Sequence, residues 1–274
     1  MRFVDAHIHL ADSKYAQNVG EIVEDAKRSN VFALVANSMD LESSRQSLRL
    51  AEEYPDHVYT ALGIHPWNTK NLGSNEIQET IDMIFENGEN RQRVVAIGEI
   101  GLDSSYSGSG EPTETQMQVF HKMLSAAEKI SLPVIIHSRG TTSQIVSLLP
   151  SYTIKKVLLH WFSQPHSLIS KIVDRGYYIT EGPPSVFSDG IREVIRRIPL
   201  TNLMTETDGP VRFRGPFKGK LTTPSFIPTV VEAIAQLKGK EKTEVADQIF
   251  QNFTDFFGVE GVRDKRHDEG TIQD

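Results

Sequence analysis

The chain of 274 residues contains no cysteine, which excludes disulfide bonds, thiolate nucleophiles, zinc ribbons and iron–sulfur clusters. It also lacks any run that approaches the roughly 18 consecutive apolar residues of a membrane-spanning helix. Basic side chains are the minority, with 29 Lys and Arg against 36 Asp and Glu and a formal net charge of -7. This balance argues against a general basic surface for coating nucleic acid, and leaves room only for a local basic patch. Any metal must be held by histidines and carboxylates.

The sequence also shows no pattern typical of a targeting segment or of a linker between domains. The first residues of the chain turn polar too soon for a secretory signal, so we expect a cytoplasmic protein without membrane association. No Gly/Ser-rich linker or internal repeat marks a second domain. We therefore predict one domain over residues 1–258, closed by helices at 223–237 and 242–257, and a polar tail over residues 259–274 that frays.

Short apolar, β-branched runs alternate with longer amphipathic helical patterns from one end of the chain to the other. Eight runs are candidate strands: 2–5, 31–36, 57–63, 94–98, 133–136, 156–159, 176–180 and 202–205. Strand followed by helix, repeated, is typical of a parallel sheet with crossover helices. Eight repeats in about 250 residues favour a single α/β (β/α)₈ TIM barrel over an open doubly wound sheet.

Ionisable residues sit where these predicted strands end. His7 and His9 are two residues apart on the first run, so both imidazoles point to the same face. Four more ionisable residues stand at the ends of later predicted strands: Glu99, His137, His160 and Asp208. Catalytic groups of such barrels come from the C-terminal ends of several strands. Burying four imidazoles and two carboxylates there without a cation would be costly, so the pattern predicts a metal centre.

Six blocks carry a family resemblance. They are DAHIHL at 5–10, GIHP at 63–66, GEIGLD at 98–103, HSR at 137–139, HWFS at 160–163 and ETD at 206–208. In order and spacing they resemble the TatD family of metal-dependent deoxyribonucleases, within the amidohydrolase superfamily. The resemblance runs from about residue 3 to residue 257, and it implies a barrel with a two-metal hydrolytic site at the C-terminal ends of the strands.

Carried onto this chain, the resemblance implies a ligand set for two divalent ions, Mg²⁺, Mn²⁺ or Zn²⁺. His7, His9 and Asp208 would hold one ion, His137 and His160 the other, and Glu99 would bridge them. A bridging ligand needs two oxygens, which suits a carboxylate, whereas related barrels with a carboxylated lysine have Lys at this place. Asp208 would also take a proton from the attacking water, which makes Asp208 and Glu99 the predicted catalytic residues.

Substrate contacts are predicted around this centre. By resemblance His65 would contact a substrate phosphate, and Arg139 could bind one bidentately. Trp67 could stack on a base, and Glu206 could support a ligating histidine. Each of these residues also has an alternative role. His65 could cap a turn, Arg139 could form an ordinary ion pair with a neighbouring loop, and Trp67 could make a core or lid contact.

The loop over residues 211–220 has four cations, Arg212 and Arg214 among them, and two phenylalanines but no acid. Beside the metals it could neutralise phosphates and stack on unpaired bases. The alternative is a solvated basic loop with buried Phe anchors.

Departures from the family pattern bear on the substrate. Two serines precede Tyr106, where the family has Tyr directly after Gly-Leu-Asp, and bulky Trp161 follows His160, where the family has small residues. We expect a 3′–5′ exodeoxyribonuclease acting on single-stranded DNA or frayed 3′ ends with a metal-activated water. The alternatives are an ester or amide hydrolase, such as a D-aminoacyl-tRNA deacylase or a lactonase, and a metal-retaining barrel that serves as a binding protein. The sequence makes no prediction of oligomeric state.

Overall fold

The computed structural model describes residues 1–88, 93–106, 110–163 and 166–259. Eight parallel strands form one sheet in sequence order, β1 to β8. They are β1 (Phe3–Ile8), β2 (Val31–Asn37), β3 (Val58–Leu62), β4 (Val94–Asp103), β5 (Val134–Arg139), β6 (Val157–Leu159), β7 (Tyr178–Glu181) and β8 (Leu203–Thr205). Helices follow the strands along the chain, and the predicted (β/α)₈ barrel is confirmed.

The helices form the outer layer. They are α1 (Val19–Arg28), α2 (Leu41–Glu53), α3 (Ser74–Gly88), α4 (Glu114–Ile130), α5 (Thr142–Leu148), α6 (Ile169–Asp174), α7 (Asp189–Arg197), α8 (Ile227–Lys238) and α9 (Lys242–Phe257). Each long helix buries an apolar stripe, such as Ile22, Val23 and Ala26 of α1, and leaves its charged face to solvent. Within the described ranges, no helix has the length and apolarity needed to cross a membrane.

Element ends differ from the prediction where polar residues carry the site. β4 continues through Glu99 to Asp103 instead of ending at residue 98, and β5 continues through His137 to Arg139. The apolar pattern stops earlier, but backbone pairing between β4 and β5 continues to Asp103 and Arg139. Strand ends read from hydrophobicity alone were therefore wrong here.

The closing helices are present, with one shifted start. The segment before α8 is a 3₁₀ turn, Pro224–Phe226, and the α-helix begins at Ile227, since proline suits the first turn but not the interior of a helix. The predicted bounds of α9 are confirmed. Most of the predicted polar tail, residues 260–274, lies outside the described residues, so the domain boundary stays a prediction.

Side-chain hydrogen bonds tie β1 to β8, the seam at which the barrel closes. The buried Asp5 carboxyl group accepts hydrogen bonds from Thr207 N at 3.0 Å and Thr207 Oγ1 at 2.5 Å. It also accepts from His7 N at 3.2 Å. Burial raises the pKa of Asp5 to about 8. Thr205 adds a hydrogen bond from its hydroxyl to Val4 O at 2.7 Å. Asp5 thus fixes the segment that carries His7 against the segment that leads to Asp208.

Candidate metal centre

All six predicted metal-binding side chains meet at the C-terminal mouth of the barrel. Most of them line a cavity of about 1120 Å³, while His7 lies fully buried at its floor. His7 comes from β1, Glu99 from β4 and His137 from β5. His160 and Asp208 follow β6 and β8. Because parallel strands all end at one mouth, residues far apart in sequence converge there.

The first group of donor atoms comprises His7 Nε2, His9 Nε2, Glu99 Oε2 and Asp208 Oδ1. Both imidazole nitrogens lie 3.3 Å from the Glu99 oxygen and 3.5 Å from the Asp208 oxygen, and 3.4 Å from each other. Donors about 2.0–2.2 Å from an ion lie roughly 3.3–3.6 Å apart at the corners of a tetrahedron. Glu99 Oε2 is buried without a hydrogen-bond partner among the described residues. The group therefore fits one divalent cation.

The second group surrounds the other oxygen of the same carboxylate. Glu99 Oε1 lies 3.0 Å from His137 Nδ1 and 2.7 Å from His160 Nε2. The two imidazole nitrogens are 3.4 Å apart. One oxygen of Glu99 therefore faces each group, which is the arrangement that a bridging ligand requires.

The outer nitrogens of two histidines show which ring nitrogen is available to an ion. His9 Nδ1 lies 3.1 Å from the carbonyl oxygen of Asn37, to which it donates. His137 Nε2 donates to Asp103 Oδ2 at 2.9 Å. In a neutral ring, a hydrogen bond of this kind fixes the tautomer and turns the lone pair of the inward nitrogen toward the centre, as ligating histidines require. Burial would lower the pKa of both rings, but the carboxylates they contact raise it, to about 10 in His9 and above its ordinary value in His137, so a bound ion would replace a proton on the inward nitrogen.

His65 reaches the second group but in the opposite tautomer. Its Nδ1 accepts a hydrogen bond from the backbone N–H of Trp67 at 3.1 Å, so the proton of the neutral ring is on Nε2. That nitrogen lies 3.3 Å from Glu99 Oε1. Burial lowers the pKa of His65 to about 4, which keeps the ring neutral near pH 7. His65 is therefore an N–H donor facing the centre, although its position alone resembles that of a ligand.

The carboxylates remain charged in this buried setting. Burial alone would raise the pKa of Glu99, but the positive charge of His160 and the hydrogen bond with His137 hold it well below its ordinary value. In Asp208 burial is likewise outweighed, here by the hydrogen bond with His9 and the charges of nearby histidines, and the pKa is lowered. Two negative charges thus lie among the imidazoles, as a cation site requires.

Two further carboxylates support the histidines from behind. Asp103 holds His137 and also accepts hydrogen bonds from Trp67 Nε1 at 2.7 Å and Ser105 Oγ at 2.5 Å. Glu206 lies 3.6 Å from His160 Nδ1 and accepts from Thr180 Oγ1 at 2.5 Å. The role of Asp103 was not foreseen, because the predicted strand ended at residue 98. Extended to residue 103, period-two spacing would have put Asp103 on the same face as Glu99.

Backbone conformation at two positions holds the centre together. Asp208 has a left-handed backbone with φ of 51°, an uncommon state for a residue with a Cβ. Its N–H donates to His7 O at 2.9 Å. Gly101 has φ of 149°, and a Cβ there would lie 2.0 Å from the carbonyl oxygen of His137. Only glycine lets β4 approach His137 this closely.

The predicted substrate residues lie around the cavity. Trp67, Arg139, Arg212 and Arg214 line it, and Lys14 joins them. The arginines are exposed, whereas the phenylalanines of the 211–220 loop are buried: Phe213 packs on Trp161 and Phe217 on Phe226. Phe217 anchors the loop, as the alternative expected, whereas Phe213 also lines the cavity, so base stacking by Phe213 stays a prediction.

Comparison with known proteins decides the family. The profile of the TatD-related DNase family matches residues 4–258. The chain belongs to this family. It is 34% identical to the human deoxyribonuclease TATDN3, over 93% of this chain and 94% of that protein. It is 27% identical to the 3′-5′ ssDNA/RNA exonuclease TatD of Erwinia tasmaniensis, over 93% of this chain and 99% of that protein.

A solved structure of the TatD family agrees with the fold. The crystal structure of YjjV, a TatD homologue from Escherichia coli, superposes with a TM-score of 0.87 at 26% identity. The match covers 94% of this chain and 98% of that chain. The family and the fold that the six sequence blocks predicted are therefore confirmed, and the family consists of metal-dependent hydrolases.

Proposed function

We propose that this TatD family member is a 3′–5′ exonuclease that hydrolyses phosphodiester bonds of single-stranded DNA or frayed 3′ ends with two divalent ions per chain. The relatives support this reading: one is named a deoxyribonuclease, and another a 3′-5′ exonuclease on single-stranded DNA and RNA. RNA is therefore a second polymer to test.

The observation that carries the proposal is the position of Glu99. Its two oxygens face two separate groups of donors, with His7 and His9 on one side and His137 and His160 on the other. Asp208 completes the first group. We assign these six residues as the ligands of two ions. Bound there, two cations would lower the pKa of a water and stabilise charge on the attacking and leaving oxygens of a phosphodiester.

The chain's own residues then have distinct roles. Asp208 is ionised and touches the first group, so its carboxylate can accept the proton of the attacking water. His65 presents an Nε2–H toward the centre and can donate it to a phosphoryl oxygen. Arg139, Arg212 and Arg214 line the cavity and can bind the phosphates of the chain on either side of the cleaved bond.

The types of donor atom limit which metals the centre can bind. Four imidazoles favour Zn²⁺ or Mn²⁺, while two carboxylates beside a phosphate also accept Mg²⁺. The test is to deplete the purified protein with chelator, restore each metal separately, and count bound ions per chain. We expect activity to return with two ions per chain.

The activity assay should separate three chemistries in one design. Single-stranded DNA and RNA oligonucleotides, labelled at the 5′ end, report polarity as a ladder of shortening products. A D-aminoacyl-tRNA and a panel of lactones test attack on a carbonyl by the same site. We expect a 3′–5′ ladder that chelator abolishes. Hydrolysis of the esters without any cleavage of oligonucleotides would overturn the proposed nuclease function.

A further inference from the structure

Aromatic rings lie on two sides of the metal centre. Trp67 follows β3 and is 37% exposed, and its ring stacks on Tyr106, which follows β4, with centroids 5.5 Å apart and an interplanar angle of 15°. Trp161 follows β6 and contacts Phe213, beyond β8, with centroids 5.6 Å apart. In an eight-stranded barrel β4 faces β8 across the mouth. The two aromatic groups therefore flank the candidate metals from different sides.

A hydrogen bond fixes the ring of Trp67, whereas Trp161 is fixed by a hydrogen bond of its backbone and by the contact of its ring with Phe213. Trp67 Nε1 donates to Asp103 Oδ2 at 2.7 Å, the carboxylate that also holds His137. The backbone N–H of Trp161 donates to Thr180 Oγ1 at 3.1 Å, with φ at 40°. Trp161 directly follows His160, so its place is tied to that of a candidate ligand. Rings that are fixed before binding lose little entropy when a planar group stacks on them.

Charge and size indicate what lies between the rings. Lys14, Arg139, Arg212 and Arg214 line the same cavity, and cations at these places match a phosphate backbone. The cavity, about 1120 Å³, exceeds the roughly 300–1,000 Å³ of small-molecule sites. The cavity has room for a short segment of a polymer, and aromatic rings beside a cationic groove are typical of single-stranded nucleic acid sites.

We propose that the mouth holds a dinucleotide step, with the cleaved phosphate at the metal centre, one flanking base on Trp67 and the other on Trp161. This deepens the proposed nuclease function and rests on it. Tyr106 stacks on the ring of Trp67, and Phe213 contacts the ring of Trp161 while lining the same cavity. The consequence is that efficient cleavage requires a base on both sides of the cleaved bond, whatever those bases are.

The test compares variants on oligonucleotides that lack single bases. Wild type, Trp161→Leu and Trp161→Phe are assayed on four single-stranded substrates: intact, abasic at the 3′-terminal nucleotide, abasic at the penultimate nucleotide, and abasic at both. On the intact substrate we expect Trp161→Leu to lower kcat/KM by roughly 5- to 100-fold, the size of one base–aromatic stack. Trp161→Phe keeps a ring and should recover most of this loss.

The decisive quantity is the dependence of that loss on the missing base. If Trp161 stacks on one base, the ratio of the wild-type kcat/KM to that of Trp161→Leu should fall to about 1 on the substrate that lacks this base. It should keep its full value on the other singly abasic substrate. Trp67→Leu should show the reverse pattern. Thermal melting and metal content, measured on each variant, detect a damaged fold or centre.

Two failures are distinguishable. The first is an active wild type whose kcat/KM exceeds that of Trp161→Leu by the same ratio on all four substrates. Trp161 would then support the site without binding a base, and this inference alone would be overturned. A wild type that cleaves none of the four oligonucleotides under any metal would overturn the proposed function and this inference with it.

Discussion

The backbone N–H of Asp208 donates to the carbonyl oxygen of His7 at 2.9 Å, which joins the last strand's loop to the first strand at the candidate metal centre. A second bond, from His9 N to Gly209 O at 2.8 Å, runs in the opposite direction. Three predicted ligands of one ion are thus fixed relative to each other by backbone contacts, independently of any metal.

Asp208→Asn should therefore keep its backbone position and lose its charge. We expect loss of turnover by roughly 100-fold or more, since the amide can neither accept the water's proton nor match the cation. The His137 and His160 ion should remain, so metal analysis should find about one ion per chain. Loss of both ions would contradict the division of ligands.

Glu99→Gln tests the bridge. The amide keeps the shape but loses the charge that faces both donor groups, so we expect turnover to fall by roughly 100-fold or more with the fold retained. Circular dichroism and thermal melting provide the fold control. Normal turnover with two ions still bound would show that Glu99 does not bridge.

Asp103→Asn tests the support of His137. Asp103 accepts N–H donors on both sides, so an amide must point its own N–H groups at one of them. We expect the affinity of the second ion to fall by roughly 10- to 100-fold, as for other carboxylates behind ligating histidines. Trp67→Phe is the matched control, because it removes one donor to Asp103 and leaves His137 held. Unchanged metal affinity in Asp103→Asn would show that Asp103 holds Trp67 but does not support His137 as a ligand.

The paired substitution of Arg212→Ala with Arg214→Ala tests the cationic loop. We expect a higher KM for oligonucleotides and a salt slope of binding reduced by roughly one to two phosphate contacts. Hydrolysis of a small chromogenic phosphodiester should be spared. Lys218→Ala with Lys220→Ala is the matched control on the same loop, since these exposed lysines do not line the cavity. Equal damage on the small substrate would mean that the loop supports the site.

Asp5→Ala tests the seam of the barrel. The change leaves the buried hydroxyl of Thr207 and the N–H groups of Thr207 and His7 without their acceptor, and we expect a loss of roughly 2–4 kcal/mol in the free energy of unfolding. Asp5→Asn keeps an acceptor oxygen and should lose much less. Urea denaturation measures both, and equal losses would show that the acceptor oxygens of Asp5 do not hold the seam.

Much of this molecule can be predicted from the sequence because its signals are local and repeated. Alternating strands and helices indicate the barrel, and ionisable residues after apolar runs indicate the mouth. The His65 tautomer could not be predicted, since it depends on one backbone N–H in a turn. The same holds for the burial of Phe213 and the packing of Trp161, because both depend on loops that meet only in the folded barrel.

The most direct test of the two-ion centre is a crystal structure of the metal-loaded protein with anomalous data collected at the edge of the bound metal. The account predicts two anomalous peaks roughly 3.5–4 Å apart with one Glu99 oxygen on each, and His65 Nε2 outside both coordination shells. A single peak, or His65 bound in place of His137 or His160, would contradict it.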